Sequence, residues 1–263
     1  MTDILIACIL GIVEGLTEFL PVSSTGHLIL VAKALGAHDD KGKVFEVVIQ
    51  LAAILAVCFF YRRMLWQKIQ ALICGKKEGI RFALLLLLAF LPAAIFGLLL
   101  HDFIKSVLFS PWVVVTALIL GGILILLTEQ RLKKPALATF EQLKLRHALI
   151  LGFGQTLALI PGTSRSAATI ITGLCLGLSR PLAAEFSFLL AIPTMIAATG
   201  YDFYQNYTLL DGNWAFFMAG SLAAFFSALL CIRLFLSFIS RYTFRVFGWY
   251  RIVLGVVCAF MML

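Results

Sequence analysis

Residues 14–27 read EGLTEFLPVSSTGH, and residues 161–166 read PGTSRS. Each cluster falls midway along a segment otherwise apolar enough to enter a membrane, residues 4–36 in the first case and 147–179 in the second. Proline ends a helix by removing a donor and clashing with the turn before it, and a following Ser or Thr caps a new one. Both regions therefore read as helix, break, helix. Irregular backbone at membrane depth is tolerated only where protein or a water-filled cavity surrounds it. The expected form is a re-entrant hairpin that enters and leaves on one face.

Outward from these breaks the chain is uniformly membrane-like. Of its 263 residues 62% are hydrophobic and 13% charged, against about 25% charged in an ordinary soluble domain. Stretches 82–100, 112–127 and 246–263 approach or reach the ~20 residues that a helix needs to cross hydrocarbon. Full spans are expected at 44–61, 82–101, 111–129, 183–204, 214–236 and 244–263. The opening segment carries Asp3 where a signal peptide is basic, and Glu14 and Glu18 interrupt its apolar run, so it reads as mature structure. Six scattered cysteines without CxxC spacing read as small packing residues.

A net charge of +8 could suggest nucleic acid, but the basic residues gather in three segments, 62–81, 131–146 and 233–245. The positive-inside rule places these in the cytoplasm and the intervening loops, with Asp39, Asp40, Asp102, Asp202 and Asp211, outside. Nucleic acid is thereby excluded as a partner.

The two breaks superimpose at an offset of 140, Pro21 on Pro161, Ser23 on Thr163 and Ser24 on Ser164. Phe45-Glu46 then falls within one residue of Glu185-Phe186. One hairpin plus three spans is thus repeated, approximately as 1–135 and 141–263, and an odd span count inserts the second copy upside down. The expectation is an all-α polytopic membrane protein: six transmembrane helices plus two re-entrant hairpins in an inverted-topology repeat, the breaks meeting near the midplane.

Charges inside a membrane are costly and mark function by default. Glu14 and Glu18, four apart, share one helix face. Paired carboxylates suit a hard divalent cation, Mg²⁺ or Ca²⁺, which shares its oxygen ligands with substrate phosphates; the plainer alternative is a pair that only balances Arg165. Ser24 and His27, three apart, can place an imidazole near a hydroxyl, as a serine nucleophile requires. Ser23, Ser24 and Thr25 can also serve as simple N-caps. Arg165, between Ser164 and Ser166, adds a planar fork to a helix N-terminus, itself a ready anion site. Two such N-termini facing each other suit a diphosphate.

Other polar residues are mostly expected to be structural. His38, His101 and His147 read as solvated loop or span-end residues, Glu46 and Glu185 as proton or metal participants or as partners of neighbouring polar groups, and Arg251 as pairing with a carboxylate or reaching toward the cytoplasm. The spacings Gly11-xxx-Gly15 and Gly173-xxx-Gly177 suit close helix packing.

The stretch from Glu14 to His27 together with Pro161-Gly-Thr-Ser-Arg-Ser166 resembles the two signature motifs of the bacterial undecaprenyl-diphosphate phosphatases, also known as bacitracin-resistance proteins. The resemblance extends over essentially the whole chain in length, span pattern and motif order. It implies hydrolysis of the terminal phosphate of undecaprenyl diphosphate, regenerating the lipid carrier of peptidoglycan synthesis, with a divalent metal. It implies a catalytic set of Glu18, Ser24, His27 and Arg165, a metal at Glu14 and Glu18, and phosphate contacts from Ser23, Thr25, Ser164 and Arg165. Serine and histidine both stay open as the attacking group. The expected partners are the polyprenyl diphosphate, the bilayer and a second copy in a homodimer; the expected location is the bacterial cytoplasmic membrane, the site opening outward. Ser24-Thr-Gly-His27 partly resembles the Ser-Gly-His element of the phosphatidic-acid phosphatase type 2 superfamily, but no histidine follows Ser164-Arg165 as that class requires. The competing function is a lipid flippase or transporter, on the strength of the repeat alone.

Overall fold

The computed structural model describes residues 3–36, 40–108, 110–132, 135–206 and 214–260, and among these no strand occurs. The helices run α1 (Asp3–Thr17), α2 (Ser24–Leu35), α3 (Asp40–Phe60), α4 (Arg62–Ile73), α5 (Lys77–Leu99), the single turn α6 (His101–Phe103), α7 (Pro111–Arg131), α8 (Leu145–Thr156), α9 (Arg165–Cys175), α10 (Arg180–Asn206), α11 (Trp214–Ile239) and α12 (Arg245–Phe260). A π-helical stretch, Ile104–Leu108, follows α6.

Among the described residues four helices, α5, α7, α10 and α11, are long and apolar enough to cross a membrane. The chain is a multi-helix membrane protein. A fifth span arises if α3 and α4 are counted together, but they meet at a 77° bend. Segment 62–81 is therefore not the plain loop that its charge suggests. It holds α4, whose Arg62, Arg63 and Lys68 accompany exposed Trp66, Ile69 and Ile73, the composition of a helix lying at a membrane interface. In the expected span 244–263, α12 accounts for 16 described residues and residues 261–263 lie outside the description.

The lipid-facing pattern is plainest on α11. Met218, Leu222, Phe226, Leu230 and Leu234, four apart, are all exposed, while Gly220, Ala224 and Ala228 between them are buried. Large side chains face the solvent that suits them, and small ones let backbones approach, because lipid gives no hydrophobic drive between helices. α1 lies along α11, and the expectation for Gly11 and Gly15 holds: a methyl at Gly11 would strike the Gly220 carbonyl oxygen, and one at Gly15 the Ser227 hydroxyl. In the same manner α8 lies along α5 with Gly152 against Ala89, and α12 along α7 with Gly248 against Gly122. Helices α3 and α10 cross in the centre, where Val57, Phe186, Phe188 and Leu190 are fully buried.

Two clusters of polar contacts fasten the segments rich in basic residues. Arg81 donates to the carbonyls of Glu141 and Leu143 at 2.8 and 2.5 Å. Buried Glu129, at the end of α7, takes a two-pronged contact from Arg180 at 2.9 and 2.6 Å and accepts from the Phe244 amide at 2.8 Å, just before α12. The chain before α8 also lies beside the chain after α9, Ala136 and Leu137 donating to the Gly177 carbonyl.

Some minor expectations change. His147 is buried rather than solvated, because its Nδ1 accepts from the Lys144 amide and caps α8. His101 is half-buried, edge-on to Tyr201. Among the cysteines Cys231 and Cys258 are buried, whereas Cys74 and Cys175 are exposed. His38, Asp39 and Asp211 lie outside the described residues.

Candidate active site

Each break is built around one strained serine. Ser23 and Ser164, with φ of 73° and 71°, are the only non-glycine residues with positive φ among those described. Such backbone is costly and persists where its surroundings demand it. Ser23 caps α2 by accepting from the Gly26 amide, and Ser164 caps α9 by accepting from the Ala167 amide. The capping serines stand one residue further apart than the two prolines, since Gly162, at φ 89°, lengthens the second break. The two positive-φ capping serines are thus 141 positions apart, whereas alignment of the prolines sets Ser23 against Thr163. Phe45 and Phe186, both core residues, stand at the same offset.

Ser24 and Arg165 open their helices, and they meet on one carboxylate. Ser24 Oγ donates to Glu18 Oε2 at 2.5 Å, within the range of a strong charge-assisted bond. Arg165 Nη2 approaches Glu18 Oε1 at 3.4 Å, while its Nη1 donates to the Ser187 carbonyl of α10 at 2.7 Å. Arg165 Nε is buried without a partner, a free donor on a guanidinium that is itself nearly buried. Because Ser23 does the capping, the Ser24 hydroxyl is released from that duty.

A cavity of about 230 Å³ opens over this cluster. Glu18, Ser23, Ser24, Thr25, Ser164 and Arg165 line it, so six of the expected site residues are gathered around one space. The lining also includes Gln50, Gln155 and Thr194, which the two motifs do not contain. Gln155 is buried and its amide meets the Thr194 hydroxyl at 3.3 Å. An amide in a membrane span was the available signal for both glutamines. Ser164 is only partly free, its hydroxyl lying 3.0 Å from that of Ser166, which in turn donates to the Leu20 carbonyl and laces the second break to the first.

Glu14 and His27 stand apart from this cavity. Glu14 lies one turn before Glu18, buried, with Oε1 unpartnered. His27 does not reach Ser24. Its Nδ1 lies 2.7 Å from the Ser23 carbonyl, which can only accept, and Nε2 lies 2.6 Å from the Tyr250 hydroxyl, the two rings stacked at 5.6 Å. The group on the serine is a carboxylate. The reading of Arg251 also fails, for its guanidinium is fully buried and its bonds run to backbone carbonyls.

Two helix N-termini and a serine, carboxylate and arginine cluster line one cavity inside a bundle of apolar helices, so the class is an integral membrane protein with a polar internal site. Comparison with known proteins narrows the class: residues 7–257 match the family Bacitracin resistance protein BacA, and the chain belongs to that family. It is 53% identical over 253 residues to the undecaprenyl-diphosphatase of Aromatoleum aromaticum, covering 96% of this chain and 92% of that one. It is 50% identical over 258 residues to undecaprenyl-diphosphatase 3 of Acinetobacter baylyi, covering 98% and 97%. With the undecaprenyl-diphosphatase of Nitrosospira multiformis the identity is 55% over 250 residues, covering 95% and 91%.

Proposed function

We propose that the chain is a membrane phosphatase that hydrolyses undecaprenyl diphosphate to undecaprenyl phosphate and inorganic phosphate. The observation that carries this reading is the Ser24–Glu18–Arg165 contact, a hydroxyl on a base beside a guanidinium at the mouth of two helix N-termini. The diphosphatase relatives and the BacA family support the substrate. A flippase or transporter would leave a serine hydrogen-bonded to a buried carboxylate without a task.

Glu18 takes the proton of Ser24 Oγ as that oxygen attacks the terminal phosphorus. The bond from this phosphorus to the bridging oxygen breaks, and undecaprenyl phosphate leaves with the electron pair. The protonated Glu18 passes that proton to the departing undecaprenyl phosphate; water, deprotonated by the regenerated carboxylate, then cleaves the phosphoserine, releasing phosphate as the proton returns to Ser24 Oγ. Arg165 and the unpaired amides opening α2 and α9 hold the equatorial oxygens, since phosphoryl transfer rests mainly on positioning and charge stabilisation. Thr25 and Ser164 complete the phosphate contacts, and Ser23 shapes the turn. His27, held by Ser23 and Tyr250, orients the start of α2.

A divalent cation, Mg²⁺ or Ca²⁺, fits this site through Glu14 and Glu18. The buried, unpartnered Glu14 Oε1 is the group that asks for one. No group of three His, Cys, Asp or Glu gathers among the described residues, so the diphosphate and water would complete the shell, as Mg²⁺ commonly arranges. Bound there, the cation supplies charge neutralisation for the diphosphate. Purified protein in detergent should release phosphate from undecaprenyl diphosphate, lose that activity to a chelator and regain it with either metal. Turnover indifferent to exhaustive chelation would remove the metal from the account.

The inverted repeat and its orientation belong to the same proposal. Support comes from exchanged packing, α1 on α11 and α8 on α5, which are corresponding pairs of the two halves. The bond from Arg81 to the Leu143 carbonyl joins segment 62–81 to 131–146, and the bond from the Phe244 amide to Glu129 joins segment 233–245 to the end of α7, as a common cytoplasmic face requires. The first hairpin then enters from outside, the second from the cytoplasm, and the diphosphate arrives at the periplasmic or extracellular face of the bacterial cytoplasmic membrane. With the native cysteines replaced, single cysteines at positions 39 and 211 should react with an impermeant maleimide in intact cells, whereas one at position 76 should react only after lysis. The opposite labelling would invert both topology and side of catalysis.

A further inference from the structure

Among the described residues no carboxylate pairs with Arg251, yet it is fully buried. Its Nη1 donates to the Pro21 carbonyl at 3.2 Å, and Nη2 donates to the carbonyls of Gly162 at 3.0 Å and Ala117 at 2.9 Å. Nε donates to the Leu118 carbonyl at 3.3 Å. Pro21 lies three residues before Ser24, and Gly162 three residues before Arg165. One guanidinium therefore grips the equivalent carbonyl of each break, with α7 as its anvil. Gly121 makes the space: a methyl there would strike Arg251 Nη2.

Burying an arginine is expensive, and a lone structural tie between helices does not need a charge. What it supplies is geometry. Carbonyls in a broken helix have lost their helical partners and must be satisfied inside the membrane. A planar fork with five donors can satisfy both breaks at once, and a lysine ammonium is a point charge that cannot reproduce the fork.

We propose that Arg251 is the positioning residue that holds the two breaks in register, so that Ser24 at the start of α2 and Arg165 at the start of α9 converge on Glu18. The neighbouring residue takes part, because the Tyr250 hydroxyl fixes His27 on the second turn side of the same break. Helix α12 thus sets the spacing of a site to which it contributes no group that touches phosphate. The consequence for turnover rests on the phosphatase reading; the consequence for the two breaks does not.

Two measurements on the purified full chain separate these. In Arg251→Lys, hydrogen exchange should accelerate in residues 19–26 and 160–167 together, while the α1–α11 interface keeps its protection. The kcat for undecaprenyl diphosphate should fall by about 100-fold, the cost of a misplacement on the order of 1 Å, with KM within about threefold because the substrate contacts remain. Gly121→Ala keeps the arginine and displaces its guanidinium, and it should give the same exchange pattern even if the lysine variant does not fold. Faster exchange in only one break, or none, would overturn the proposal whatever happens to activity. Coupled loosening of both breaks with unchanged kcat would show that register does not govern the chemistry, and would overturn it equally.

Discussion

Ser24→Ala should lower phosphate release by about 10³-fold or more, the scale of losing a group that forms bonds in the transition state, while the purified protein keeps its elution profile and thermal stability. The second half of that expectation follows from the break itself. Ser23, not Ser24, accepts the Gly26 amide and caps α2, so removing the Ser24 hydroxyl costs the helix no cap. It leaves Glu18 Oε2 without its donor, but Arg165 and incoming water remain to satisfy the carboxylate. Ser23→Ala should show the complementary pattern, with a loss of stability of about 1 kcal/mol from the missing cap. Were the two variants to exchange phenotypes, the division of labour between the serines would be wrong.

Arg165→Lys should cost about 10²- to 10³-fold in kcat, comparable to removing one preorganised donor from a developing oxyanion. The charge survives the change, and so does its attraction to Glu18. What disappears is the fork: Nη1 anchored on the Ser187 carbonyl, Nη2 toward Glu18 and a free Nε between. A lysine cannot hold the α10 backbone and present further donors to phosphate at the same time. Phosphate release at the wild-type rate in that variant would take the guanidinium out of the mechanism.

The breaks were legible in the sequence because proline and consecutive hydroxyls stand out against apolar helix. Their register was not, because alignment on Pro21 and Pro161 hides the extra residue that Gly162 accommodates with positive φ. The gathering of Glu18, Ser24 and Arg165 could be anticipated from charge economy in a membrane. His27 misled for a different reason. A spacing of three places it on the face of Ser24, but the ring is claimed by Tyr250, 223 positions away, and nothing local to the motif signals that residue. Arg251 was visible as a buried charge and unreadable as to partner, since backbone carbonyls carry no residue identity. Likewise α4 hides within a basic segment whose charge reads as loop until its apolar residues are placed on a helix.

In the proposed mechanism Ser24, with Glu18 as its base, attacks phosphorus, and His27 does not. Rapid quenching of the purified enzyme with undecaprenyl diphosphate labelled in the terminal phosphate tests it directly. The label should survive acid and map by mass spectrometry to the peptide bearing Ser24, absent from Ser24→Ala and present in His27→Ala. Acid-labile label on His27, retained in Ser24→Ala, would contradict it.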